Sequence, residues 1–229
     1  MARKSNYIIN RKNTELWKED TLKSVSLYND WFLDFAPVTY TKERKCAMEQ
    51  VELAISQTDN FHFTATHLKE HPEFITILRM ATTPPIARDR LIGFSGIKTS
   101  FIKNMEEGRL PQRMSDEEKE NSLSRIAHVL NKLLDIELFP WIHKGNAPTA
   151  EELKIAECIV ADRLCGTLSD PIIRNEQEKR QLKVISDFLV SEGYTFVDSK
   201  NVVLFSEMKQ GTFTFHLNVP VKMNRLGVN

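Results

Sequence analysis

The sequence predicts an α+β chain that is predominantly α-helical, on three observations. Apolar residues recur at helical intervals from Asn13 to about residue 190. Within residues 87–111, ARDRLIGFSGIKTSFIKNMEEGRLP, a glycine separates two short amphipathic segments, the spacing of a helix-turn-helix-like hairpin. After Gly193 the period shortens to the alternation of strands with one buried face.

The elements follow in chain order. Residues 13–35 carry Trp17, Leu22, Val25, Leu27, Trp31 and Phe32 at helical spacing, and Pro37, which lacks an amide hydrogen, is expected to close that helix. A second helix is expected over residues 41–57, with Cys46, Val51, Leu53, Ala54 and Ile55 inside. Residues 66–80 read as two short helical pieces split by Pro72, and Pro84 and Pro85 impose an extended break after them. Ser115 followed by Asp116, Glu117 and Glu118 is an N-cap with an acidic first turn. The helix it starts is expected to bury Leu123, Ile126, Ala127, Leu130, Leu133 and Leu134, to reach about Leu138, and to stop at Phe139-Pro140-Trp141.

Residues 144–148, KGNAP, form the best linker, and Thr149 can cap a helix carrying Leu153, Ala156, Ile159, Val160 and Leu164. A further helix over residues 172–192 would hold Leu182, Ile185, Phe188 and Leu189 inside and end at Gly193. Strands are expected at residues 194–197, 202–205 and 212–219, the last alternating Phe213, Phe215, Leu217 and Val219 with polar residues. So few strands make a marginal sheet. The chain is therefore expected to be the front part of a longer protein.

The hairpin carries the clearest chemistry. Gly96 sits where the first helix must stop abruptly, and glycine enters the left-handed conformation at almost no steric cost. At about 100° per residue, Ile97, Phe101, Ile102 and Met105 share one arc, while Thr99, Ser100, Lys103 and Glu107 face away. Thr99 or Ser100 is expected to cap the second helix, and Gly108 to end it. A helix with a short glycine turn leading into a second helix is a recurrent DNA-reading device. On that reading Arg88, Arg90, Thr99, Ser100, Lys103 and Asn104 are the DNA-binding candidates, reaching phosphates or base edges. An ordinary helical hairpin has the same pattern, and the bulk of Ile92 favours it.

Composition bounds the partner. The 229 residues carry 31 Lys plus Arg against 31 Asp plus Glu, which argues against a binder driven by net charge alone. A local basic face is still expected from Arg79, Arg88, Arg90, Lys98, Lys103, Arg109 and Arg113. Cys46, Cys158 and Cys165 are too few and scattered for a disulfide framework or zinc knuckle. The charged first residues and the lack of a long apolar run point to a cytoplasmic chain with no membrane partner. His62, His67 and His71 are read as surface or cap residues, and Trp17, Trp31 and Trp141 as core anchors. Ser95 lacks a nucleophile-elbow pattern, and no glycine-rich phosphate loop is present.

Four stretches, LYNDWFLDFAP (residues 27–37), LRMATTPPIARDRLIGFSGI (78–97), NMEEGRLP (104–111) and GTFTFHLNVPV (211–221), resemble the XamI family of type II restriction endonucleases. The resemblance runs over most of the chain, and its central block is the specific part. It implies a Mg²⁺-dependent nuclease that recognises a short duplex sequence and cuts both strands, with homodimerisation as the usual route to symmetric cleavage. It also implies a restriction-endonuclease-like α/β core, here only begun. Residues 1–146 would then be a helical DNA-recognition region and residues 147–229 the start of the catalytic domain.

Enzymes of this kind commonly use a PD-(D/E)xK core, in which two carboxylates hold Mg²⁺ and a lysine orients or deprotonates the metal-activated water. Residues 177–181, QEKRQ, resemble the helical entry to such a core. The literal in-chain match is Asp198 with Glu207-Met208-Lys209, but an acidic-x-Lys triplet arises easily in a chain with 27% charged residues. The catalytic and metal-binding residues are expected beyond Asn229, leaving this chain alone inactive. The alternative is a non-catalytic helix-turn-helix DNA-binding regulator.

Overall fold

In the computed structural model, which describes residues 13–201 and 204–217, one helix, α1 (Thr14–Gln57), fills the stretch where two were expected. Pro37 lies inside it. The carbonyl that loses its amide partner belongs to Leu33, whose side chain is 69% exposed, so solvent can satisfy it. The apolar residues of the first half of α1 are not core. Trp17, Leu22, Val25, Leu27 and Phe32 are exposed, and burial begins at Ala36. Farther along, Ala47, Val51 and Ala54 enter the core, whereas Leu53 faces out.

After α1 the chain reverses through Asp59, Asn60 and Phe61, all left-handed at φ 48, 57 and 68°. Such residues each store about 1–2 kcal/mol of backbone strain. Packing holds them there. Phe61 is fully buried with its ring 4.7 Å from that of Phe139, and Trp141 Nε1 donates to the Asn60 carbonyl at 2.9 Å. Trp141 is thus the tryptophan that anchors the core.

The expected short pieces around Pro72 are present: α2 (Ala65–Glu70), a 3₁₀ turn (Pro72–Phe74) and α3 (Ile75–Met80). Thr64 and His67 form a capping box on α2, giving His67 the cap role. A cis Thr83-Pro84 bond lies in the break before α4 (Arg88–Ser95), and α5 (Thr99–Glu106) follows. Helix α6 (Asp116–Leu133) starts at the Ser115–Glu118 capping box. It ends earlier than expected because the segment after it is recruited by the loop behind α3. The Thr83 amide donates to the Leu133 carbonyl at 2.9 Å, and the Asp135 amide to the Ala81 carbonyl at 3.1 Å. Phe139-Pro140-Trp141 does not end a helix but begins a short one, α7 (Pro140–Lys144), closed by left-handed Gly145.

Thr149 and Glu152 cap α8 (Ala150–Ser191) by reciprocal hydrogen bonds. This helix again runs through a proline, Pro171, where separate helices were expected; the carbonyl freed is that of exposed Thr167. Arg163 of α8 ties the loops together by donating to the carbonyl of Met80 at 3.0 Å and to Asp135 Oδ2 at 3.1 Å. A single buried cluster joins Leu78, Leu91, Ile102, Met105, Leu130 and Val160 from α3, α4, α5, α6 and α8.

The chain divides into two compact units, Met1–Pro171 and Ile172–Asn229. In the second, Ile185 and Phe188 are exposed rather than inside. Strands β1 (Thr195–Phe196) and β2 (Thr212–Phe213) pair in parallel, Thr195 with Thr212 and Phe196 with Phe213. The rings of Phe196, Phe213 and Phe215 pack on one another at 5.5–6.0 Å. The longer expected strands are not found among the described residues. Phe205–Glu207 is a 3₁₀ turn, and His216, at φ 59°, turns the backbone out of an extended path. Val202, Val203 and residues 218–219 lie outside the described residues. The architecture is mostly helical with one small parallel sheet.

Candidate nucleic-acid interface

Gly96 forms the corner of the α4–α5 hairpin. It is left-handed at φ 61°, ψ 33°, and its amide donates to the Ile92 carbonyl, closing α4. A methyl group at this position would also overlap the Arg125 guanidinium of α6, which lies against the glycine. The backbone is what demands glycine at this turn, since the flexible, exposed Arg125 side chain can move aside. Ser95, buried beside it, satisfies its hydroxyl by donating to the Leu91 carbonyl at 2.6 Å.

The expected inner arc of α5 is buried: Ile97, Phe101, Ile102 and Met105 are at most 8% exposed. The outer arc is solvated, with Lys98, Thr99, Ser100 and Lys103 exposed and Asn104 half-buried. Neither Thr99 nor Ser100 is the N-cap. That position falls to Lys98, extended at φ −67°, ψ 140°, because the helix begins at Thr99 itself; no side chain caps it. The start of α5 is thereby left with uncapped amides and free hydroxyls. At its far end Gly108, at φ 71°, lets the Arg109 amide reach back to the Asn104 carbonyl at 3.0 Å.

A groove of about 820 Å³ opens beside this arc, lined by Lys98, Ser100, Arg113, Glu118, Asn121 and Arg125 among others. A second, of about 650 Å³, continues along α6 past Phe94, Glu120, Arg125 and His128. Phe94 is 63% exposed at its edge. The surface combines the cations Lys98, Arg113 and Arg125 and the amide of Asn121 with the carboxylates of Glu117, Glu118 and Glu120 and with apolar side chains that include Phe94, Phe101 and Met114.

The local basic face is smaller than its residue count suggests. Arg79 is buried and donates to Glu106 Oε1 at 2.9 Å. Arg88 grips the same carboxylate, with Nε 3.0 Å from Oε1 and Nη2 2.6 Å from Oε2. Burial pulls Arg79 below the ordinary arginine range, while the hydrogen bond to Glu106 raises Arg88. Arg109 pairs with Glu107. Arg90, Lys98, Lys103 and Arg113 remain exposed.

The in-chain acidic residues are placed differently. Asp198 accepts the Lys200 amide at 2.9 Å and Glu207 the Leu204 amide at 3.2 Å, so each carboxylate closes its own local turn. Lys209 is exposed ahead of β2.

Comparison with known proteins decides the family. The model of the XamI restriction endonuclease matches residues 59–225. The chain is 42% identical over 215 residues to the type II restriction enzyme SalI of Streptomyces albus G, covering 93% of this chain and 68% of that enzyme. It belongs to the XamI restriction endonuclease family. No solved structure matches it.

Restriction enzymes of the PD-(D/E)xK kind gather two carboxylates and a lysine around Mg²⁺. Among the described residues of this XamI-family chain, no three His, Cys, Asp or Glu side chains are grouped to hold a metal. Asp198 and Glu207 each accept a turn amide through one carboxylate oxygen. Sequence reasoning located the α5 arc but missed Glu106 and Arg125. Arg125 is brought to Gly96 by the packing of α6, which no local spacing encodes.

Proposed function

We propose that this chain is a type II restriction endonuclease that binds double-stranded DNA through the α4–α5 hairpin and hydrolyses both strands at a short sequence in a Mg²⁺-dependent reaction. It acts as a homodimer in the cytoplasm. Residues 1–146 form the recognition region and residues 147–229 begin the catalytic domain. Homology to SalI over nearly the whole chain carries the reading. The polar arc of exposed Thr99, Ser100 and Lys103 with half-buried Asn104 supports the recognition assignment, with Arg88 and Arg90 of α4 as flanking phosphate contacts. Among the described residues no helix is long and apolar enough to cross a membrane.

The catalytic carboxylates lie outside the described residues on this reading, and Asp198, Glu207 and Lys209 serve the fold of the second unit. Plasmid incubated with the full-length protein and Mg²⁺ gives discrete fragments. Intact plasmid over a range of salt and divalent metals sinks the enzyme assignment. Lys103→Ala and Asn104→Ala weaken duplex binding while leaving thermal stability in place; unchanged binding would reduce α5 to scaffold.

A further inference from the structure

We propose that Arg79, Glu106 and Arg88 form a latch that parks Arg88 on α5 and releases it to a phosphate of duplex DNA, with Glu106 as the positioning residue. The inference rests on the assignment of the α4–α5 face to DNA.

Three observations carry it. The first is stoichiometry: one carboxylate serves two guanidiniums, so the cluster holds one positive charge more than it neutralises. The second is unequal burial. The Arg79 side chain is 9% exposed and Glu106 14%, whereas Arg88 is 44% exposed. Arg79 is held by its burial and by its 2.9 Å bond to Glu106. Arg88 can leave, and when it does Glu106 stays paired with Arg79, so no carboxylate is stranded in a desolvated site.

The third is geometry. Arg88 presents Nε and Nη2 side by side to the two oxygens of Glu106. The non-bridging oxygens of a phosphodiester offer the same fork, so one bidentate partner replaces the other. Arg88 is also the first residue of α4, where the helix dipole disfavours a cation. In the free protein Glu106 offsets that repulsion, and in the complex the phosphate does.

The test measures binding of a mixed-sequence DNA duplex to the full chain without divalent metal, across a salt series. Glu106→Gln releases Arg88 and tightens binding roughly three- to tenfold. That gain vanishes in the Arg88→Ala background. Arg88→Ala alone flattens the slope of log affinity against log salt by about 0.9, and Arg88→Lys, which keeps the charge, restores it. Lys103→Ala separates this idea from the one beneath it. If Lys103→Ala weakens binding while Glu106→Gln and Arg88→Ala change neither affinity nor slope, the latch is wrong and the DNA face stands. If none of the variants changes binding, both fall. Should Glu106→Gln fail to fold, an unchanged slope for Arg88→Ala, whose side chain is partly solvated, overturns the latch by itself.

Discussion

Two glycines three residues apart should respond to alanine in opposite directions. Gly96→Ala puts a side chain on a left-handed residue, at about 1–2 kcal/mol, and pushes the Arg125 guanidinium off the turn. Arg125 is long and exposed, so its displacement adds little, and the backbone sets the magnitude. Gly93 lies in α4 with nothing within 4 Å of an added methyl. Gly93→Ala removes a flexible residue from a helix, for a gain of about 0.5–1 kcal/mol. The two variants should therefore differ by roughly 1.5–3 kcal/mol, and at about 2–4 °C per kcal/mol for a chain of this size the melting temperatures separate by roughly 3–12 °C. Circular dichroism melts and urea titrations read the difference. A Gly96→Ala protein as stable as its Gly93→Ala counterpart would refute the left-handed corner and the hairpin built on it.

Other expected outcomes test the scaffold and the site. Ser115→Ala removes the cap of α6 and lowers stability by about 1 kcal/mol in urea titrations. The Ser115 amide and hydroxyl hold the Glu118 carboxyl below the usual carboxylate range. Its contribution is therefore present above the unfolded value and lost as pH falls through the folded one, and Glu118→Gln flattens that acid limb in melts taken across pH. Trp141→Phe keeps an aromatic side chain but removes part of the buried indole along with its hydrogen bond to Asn60, destabilising by about 2–4 kcal/mol in the same titration. Alanine at Asp198, Glu207 or Lys209 leaves plasmid cleavage intact; loss of cleavage with DNA binding retained in all three would move the active site to them.

What could be read in the sequence was what short-range chemistry decides. The Ser115 cap, the Gly96 corner and the buried arc of α5 each depend on residues within a turn or two of one another. Where context beyond the turn matters, the reading failed. The stop expected at Pro37 and the separate helices expected on either side of Pro171 are absent, because a proline stops a helix only when the carbonyl it orphans has nowhere else to bond. Both freed carbonyls lie on solvated turns. The end of α6 was misplaced for the converse reason: a partner distant in sequence, the loop at Ala81 and Thr83, claims its last residues. The double pairing of Glu106 was invisible because it depends on α3, α4 and α5 meeting.

The division of labour within α5 connects stability to recognition. Phe101, Ile102 and Met105 are fixed by the core, so replacing them costs packing energy before it touches DNA. Thr99, Ser100 and Lys103 are exposed and carry no such obligation, so on the proposed function they are the residues of α5 that set specificity. A chain of zero net charge can still bind DNA on this plan, because affinity follows the cations that face the phosphates rather than the net sum. Arg79, Arg88 and Arg109 share Glu106 and Glu107, which neutralise two of their three charges. On the proposed latch, Arg88 passes from its carboxylate to a phosphate of whichever duplex seats on this face, so the exchange adds affinity and salt dependence rather than sequence choice.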